Sequence, residues 1–225
     1  MIDLLNNEKL SMRFLCFLSL FIVGCTAPTQ QLYGRADARI ALGIKYLDMG
    51  NMVKAKVNLM SAQKHAPSYY KVTLALAHYY EKVNESKLAS NLFKQALEKE
   101  PNNGEILNNF AKFLCNRGHY EQAKTLFANA TRQLEYLHTA LSYENAALCA
   151  LKYKDIQSAE QLFNKALNHD PNRTKSTLNL AKIDIANGKT QQAKVRLASL
   201  LGVDVKSRRI SEILNQLAMS KDPKD

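Results

Sequence analysis

Alanine recurs along this chain with a fixed period, and that period constrains the fold more than any other feature. Ala55, Ala89 and Ala123 lie 34 residues apart, and Ala159 and Ala193 resume the spacing after a two-residue insertion. A repeat of this length is one supersecondary unit, which cannot bury its apolar face alone and must stack on a neighbour. The sequence therefore predicts an array of small stacked units.

Composition and turn signals indicate that each unit is a pair of helices. The 225 residues include 8 Gly and 5 Pro, too few for a collagen-like or low-complexity chain. At 46% hydrophobic residues the chain has enough apolar surface to fold. Turn-forming residues recur between the predicted helices, at Gly50-Asn51, Asn84, Asn116 to Gly118 and Asn187-Gly188. These features predict an all-α protein.

The unit resembles the tetratricopeptide repeat, a helix–turn–helix motif of 34 residues. Small residues occupy one position of each first helix, namely Gly43, Ala77, Ala111, Ala147 and Ala181. The resemblance implies a tetratricopeptide superhelix, an α-solenoid of about five to six repeats. We place them at 36–69, 70–103, 104–139, 140–173 and 174–207. The fifth is degenerate, and residues 208–221 are predicted to form a capping helix or part of a sixth repeat.

The first 24 residues read as a signal peptide. Ten uncharged, mostly apolar residues from Phe14 to Val23 follow Lys9 and Arg13, and they are too few to span a bilayer. The run Ile22 to Cys25 resembles the lipobox of bacterial lipoproteins, which implies lipidation of Cys25 after cleavage. Thr26, rather than Asp, implies delivery to the periplasmic face of the outer membrane.

Three further expectations concern this end of the chain. Residues 25–35 are predicted to be a flexible, lipidated tether. Translation starts at Met1 or at Met12, which would leave a very short signal. The alternative to a lipoprotein is a plain signal peptide with an incidental Cys25.

Two cysteines remain in the predicted repeats. Cys115 and Cys149 fall in the first helices of the third and fourth units, and an exported protein meets an oxidising compartment. We therefore predict a Cys115–Cys149 disulfide. The alternative is that both are small buried apolar side chains, since free cysteine is commonly buried.

Catalytic and metal-binding signatures are missing from the sequence. The five histidines are isolated, and the chain has no His-Glu-x-x-His, Cys-x-x-Cys, phosphate-binding glycine loop or Gly-x-Ser-x-Gly motif. We expect no enzyme activity, no metal and no cofactor. The net charge of +11 would suit an acidic partner, but export makes nucleic acid an unsuitable one.

The resemblance to tetratricopeptide arrays implies a concave groove lined by the first helices, in which peptide segments dock. Helical spacing from the small residues selects two groove candidates in each of three repeats. They are His78 and Lys82, Asn108 and Lys112, and Glu144 and Lys152.

The third and fourth repeats also resemble the PilW/PilF family of type IV pilus biogenesis lipoproteins, or pilotins. The matching residues are Asn108-Asn109, Phe113-Leu114-Cys115, Asn145-Ala146 and Cys149. Phe110 and Lys112 depart from the aromatic residues expected there. The resemblance implies an outer-membrane assembly factor whose partners are secretin subunits or other pilus proteins, and it supports the disulfide. The alternative is a tetratricopeptide adaptor lipoprotein for outer-membrane protein assembly or for cell-wall enzymes.

Overall fold

The computed structural model describes residues 27–202 and 208–219, and every regular element in these ranges is an α-helix. The predicted all-α class is therefore confirmed. The predicted signal peptide, both candidate start residues and Cys25 lie outside the described residues. The described helices are α1 (Ala27–Asp48), α2 (Met52–His65), α3 (Tyr70–Lys82), α4 (Ser86–Lys99), α5 (Gly104–Asn116), α6 (Tyr120–Thr131), α7 (Thr139–Lys152), α8 (Ile156–His169), α9 (Thr174–Ala186), α10 (Thr190–Leu201) and α11 (Arg208–Met219).

The five periodic alanines define the positions where paired helices touch. Each lies on the second helix of a pair, and each is fully buried: Ala55, Ala89, Ala123, Ala159 and Ala193. At Gly43 a Cβ atom would come within 2.6 Å of Leu59 Cδ2 on the partner helix. The small residues are therefore explained by close approach of one helix to the next.

The loops between paired helices repeat one backbone conformation. Each contains a residue with positive φ, at Gly50, Asn84, Gly118, Lys154 and Gly188. The spacing of these residues follows the alanine period, including the two-residue insertion. Glycine and asparagine adopt this left-handed region readily, whereas a lysine there is strained. Lys154 is the member of the series that the sequence did not reveal.

The predicted tether is wrong from residue 27 onward, because α1 already begins at Ala27. Residues 27–35 contain no adjacent Gly and Pro that would end a helix, and the side chain of Tyr33 packs on the first repeat. The Tyr33 ring stacks on Tyr69 at 4.3 Å, and just beyond this segment Asp37 Oδ2 accepts a hydrogen bond from Tyr69 Oη at 3.3 Å. The chain is therefore helical where we expected flexibility.

The fold comprises two compact units, one ending at Leu92 and the other beginning at Phe93. The first has a core drawn from α1, α2 and α3, with Leu47, Leu59, Val72 and Leu76 among its buried side chains. Tyr79 is also buried there, packed edge-on against Tyr80 at 5.3 Å. These tyrosines are packing residues of the repeat.

The second unit contains α5 to α11 and the second half of α4. Phe93 stacks on Phe110 and contacts Phe113, with ring centroids 5.4 and 5.2 Å apart. At the other end α11 packs on α9 and α10, and it buries Ile210 and Leu214. The single described helix after α10 thus covers the apolar face of the fifth helix pair.

Candidate functional site

The first helices of the third and fourth repeats, α5 and α7, flank an open groove of about 160 Å³ within the second unit, which we call the α5–α7 groove. Lys112, Asn116, Asn145 and Lys152 provide its polar atoms, and Leu148 and the two cysteines are among its apolar lining. Lys112 and Lys152, which the sequence selected as groove residues, both line this groove. Both lysine side chains are exposed there, and the ammonium of Lys152 also reaches backbone carbonyls at the end of α5.

Asn108 was wrongly predicted to face a groove. Its side chain is buried, and its Oδ1 accepts a hydrogen bond from Asn145 Nδ2 at 3.0 Å. The amide group therefore joins α5 to α7. A buried amide without such a partner would be costly, which accounts for the asparagine at both positions.

Glu144 was also wrongly predicted to face a groove. Its carboxylate is buried, and it accepts hydrogen bonds from Arg173 Nη2 at 2.6 Å and from Ser176 Oγ at 2.8 Å. Burial alone would raise the pKa of Glu144, but the hydrogen bonds from Arg173 and Ser176 outweigh it and hold that pKa below its ordinary value. Glu144 is thus an ionised structural residue that joins α7 to the start of α9.

The C-terminal end of α5 is tied to α7 by two donors, Tyr153 and the groove candidate Lys152, in contacts that the repeat spacing does not predict. Tyr153 Oη donates to the Cys115 carbonyl at 2.9 Å. Lys152 Nζ donates to the carbonyls of Cys115 and Asn116 at 3.4 Å each. A cation and a hydroxyl at a helix C-terminus satisfy carbonyls that have no partner within the helix. The repeat period places Tyr153 next to a turn residue, but nothing in it indicates this contact.

Cys115 and Cys149 are buried together between α5 and α7. The structure pairs their sulfur atoms, and their Cα atoms are 6.0 Å apart, within the range that a disulfide spans. The two positions are not equivalent within the repeat. They are nevertheless 34 residues apart, because two extra residues are inserted before α7.

The remaining groove candidates lie on α3 in the first unit. The His78 side chain is partly exposed, with Nδ1 at 3.7 Å from Glu81 Oε2. Lys82 is exposed in the last turn of α3, where its charge suits the helix dipole. Both are accessible to a ligand of that unit.

The described residues hold none of the arrangements that a metalloenzyme needs. Among residues 27–202 and 208–219 no group of three or more His, Cys, Asp or Glu side chains is placed to hold a metal ion. Within the same ranges no helix is both long enough and apolar enough to cross a membrane. What the site offers is shape, two cations and hydrogen-bonding groups, which suit binding.

Stacked helix pairs with buried alanines at a 34-residue spacing define a tetratricopeptide-repeat protein. Models of the tetratricopeptide repeat match residues 92–125 and 150–217. Such proteins are typically noncatalytic scaffolds for other proteins.

The comparisons also identify the family. The chain is 31% identical over 174 residues to the type IV pilus assembly protein PilF of Pseudomonas aeruginosa, covering 74% of this chain and 69% of that protein. A solved structure of P. aeruginosa PilF superposes with a TM-score of 0.67 at 27% identity, covering 84% of this chain and 89% of that one. A crystal structure of PilW, a type IV pilus biogenesis factor, shares the fold with a TM-score of 0.64 at 22% identity, over 81% and 88%. The chain belongs to the PilF/PilW family of type IV pilus biogenesis proteins.

Proposed function

We propose that this protein is an outer-membrane lipoprotein that acts as a pilotin, a noncatalytic factor that promotes secretin multimerisation or pilus stability. Membership of the PilF/PilW family is the observation that carries the proposal. The alternative, an adaptor for outer-membrane protein assembly or for cell-wall enzymes, has no comparable support.

The groove between α5 and α7 is the proposed peptide site. Lys112 and Lys152 flank a cavity whose apolar part includes Leu148. A bound segment would place a small apolar side chain against Leu148 and present carbonyl or carboxylate oxygens to the two lysines. The partner segment is proposed to come from a secretin subunit or from another pilus assembly protein.

Two covalent features complete the proposal. Lipids on Cys25 would fix the protein to the periplasmic face of the outer membrane, and two or more acyl chains are needed for a durable anchor. A Cys115–Cys149 bond in the exported protein would hold α5 against α7 and so fix the groove's width. Mass measurement of the alkylated protein, with and without reductant, tests both the bond and the acyl chains.

Complementation of a gene deletion tests the proposal. Strains carrying the wild-type chain, Lys112→Glu/Lys152→Glu or Cys25→Ser are compared for secretin multimers on immunoblots and for surface pili. We expect the double variant and the unlipidated variant to lower both. The matched control is Lys94→Glu, which reverses an exposed charge on α4, the second helix of the second repeat. It is expected to behave as wild type.

Several outcomes count against the proposal. Full multimers and pili with the groove double variant would remove the groove from the function. Loss of an outer-membrane protein or of a cell-wall enzyme activity, with intact secretin multimers, would support the adaptor alternative instead.

A further inference from the structure

A second cleft lies in the same unit, between α6 and α8. Its volume is about 350 Å³, and part of α7 forms its floor. Phe127, Ala128, Ala146, Cys149 and Leu162 provide the apolar surface. It is lined mainly by the second helices of two repeats, and it shares only Phe127 and Cys149 with the groove that Lys112 and Lys152 flank.

The charged residues that line this cleft are all cations. Lys124 and Arg132 come from α6 and the residue that follows it, and Lys165 comes from α8. No Asp or Glu is among the lining residues, and no ion pair within the described residues engages these three cations. The nearby Asp155 carboxylate accepts hydrogen bonds from Tyr120 Oη at 2.9 Å and from the Ser158 backbone at 3.1 Å, and it also lies close enough to Lys124 to interact with its charge.

Two of the cations are held at the cleft by aromatic rings. Lys165 Nζ lies 5.7 Å from the centre of the Tyr143 ring, and Lys124 Nζ lies 5.9 Å from that of Tyr120. Both tyrosines line the cleft. A lysine ammonium that lies over an aromatic ring keeps its positive charge and can still pair with an anion, while its side chain samples fewer conformations. The arrangement is therefore an apolar centre with a partly ordered cationic rim.

This arrangement favours a peptide over a phosphate. Phosphate sites use converging donors, commonly backbone N–H groups at a helix N-terminus. Here the centre is apolar, and the charges stand apart at the edge. An apolar centre with a polar rim is the pattern of protein interfaces, in which anchoring side chains enter a dry pocket.

We propose that the α6–α8 cleft binds a carboxylate-rich segment of a partner protein that carries one or two large apolar side chains. The apolar side chains occupy the space between Phe127 and Leu162. The flanking carboxylates pair with Lys124, Lys165 and Arg132. The cleft opens beside the α5–α7 groove, and Phe127 and Cys149 line both.

The test uses the purified full chain and a fluorescein-labelled probe peptide, Asp-Glu-Leu-Phe-Glu-Asp, with fluorescence anisotropy as the readout. One matched peptide replaces the acids by lysine, and another replaces Leu-Phe by Gly-Ser. We expect the probe to bind at least tenfold more tightly than either. Lys124→Glu/Lys165→Glu is expected to weaken it at least tenfold, and Ala128→Phe, which fills the cleft without changing charge, to weaken it similarly.

Lys182→Glu reverses an exposed charge on α9, away from the cleft, and is expected to change the affinity less than twofold. Thermal melts of each variant establish that a loss of binding is not a loss of folding. The proposal is overturned if the probe fails to bind or if the Gly-Ser peptide binds equally well. It also fails if the two cleft variants have no effect, or if pyrophosphate or phosphatidylglycerol vesicles displace the probe as well as unlabelled peptide does.

Discussion

Two neighbouring junctions of the second unit join the same kind of helix pairs by different chemistry. At the junction of the third and fourth repeats, α5–α6 against α7–α8, Cys115 and Cys149 lie side by side and the neutral amides of Asn108 and Asn145 are hydrogen-bonded. The charged groups of that junction, Lys152 and Asp155, bond to backbone carbonyls and to the Tyr120 hydroxyl. The junction of the fourth and fifth repeats, α7–α8 against α9–α10, is held by the buried pair Glu144–Arg173 with Ser176. The repeat specifies how helices stack, and it leaves open which polar groups join them.

Because the two junctions use different polar groups, we expect them to respond differently to reducing agents and to acid. Reducing agents would break a Cys115–Cys149 disulfide and leave the ion pair unaffected. Acid acts on Glu144 at one junction, whereas at the other the Asn108 and Asn145 amides do not titrate and the titratable contact is that of Asp155 with Tyr120. The groove and the cleft both lie at the junction that contains the two cysteines, since Cys149 lines each of them.

The largest effect is expected from breaking the charged pair. Arg173→Ala leaves the Glu144 carboxylate buried with Ser176 as its remaining side-chain partner, and we expect a loss of about 3 to 5 kcal/mol in the free energy of unfolding. Urea titration measures it, with the exposed Arg132→Ala as the control. A loss no larger than the control's would show that the pair does not hold this junction.

Removing the cysteine pair is expected to cost slightly less. Cys115→Ser/Cys149→Ser should lower the free energy of unfolding by about 2 to 4 kcal/mol, because a disulfide restricts the unfolded chain. Dithiothreitol should shift the wild type toward the double variant and leave the variant itself unchanged. Equal stability of the wild type with and without reductant would contradict the bridge.

Acid should remove the contribution of Glu144 to its junction without any loss of a side chain's volume. The pKa of Glu144 is below its ordinary value of 4.5 in the folded protein, so its carboxylate stabilises the fold above that pH. This contribution disappears as the pH falls through the lowered folded-state pKa. The stability advantage of the wild type over Glu144→Gln should therefore shrink below about pH 4.5, measured by urea titration at stepped pH values. A constant difference between pH 7 and pH 3 would contradict an ionised Glu144.

The smallest effect is expected at the turn within the fourth repeat. Lys154 has φ of 62°, and Lys154→Gly should raise the free energy of unfolding by about 1 kcal/mol because it removes left-handed strain. Asn84→Gly, at the equivalent turn of the second repeat, should gain less since asparagine tolerates this conformation. An unchanged or lower stability of Lys154→Gly would mean that the lysine side chain compensates for its backbone.

The repeat pattern predicts the backbone far better than it predicts the polar contacts. Alanine spacing locates the buried positions because only small residues fit between paired helices. Helical spacing also predicts that Lys112 and Lys152 are exposed on the first helices, and both side chains are exposed beside the α5–α7 groove. It fails for Asn108 and Glu144, whose partners lie in or directly before a helix of the next repeat: Asn145 on α7, and Arg173 and Ser176 at the start of α9.

The α6–α8 cleft illustrates the same limit of sequence reasoning. Nothing in the sequence sets its cations, Lys124, Arg132 and Lys165, apart from other surface residues, and stacking of two repeats brings them to one rim. The helical start of α1 was missed for a related reason, because Tyr69, the partner of Tyr33, lies a full repeat away.

The most direct test of the account is the amount of secretin multimer in a strain that lacks this gene. We predict that heat-stable multimers on an immunoblot fall to a small fraction of the wild-type amount, while the secretin monomer is still made. Restoration by the wild-type gene would complete the result. Unchanged multimers together with normal surface pili would contradict the proposed role in pilus assembly.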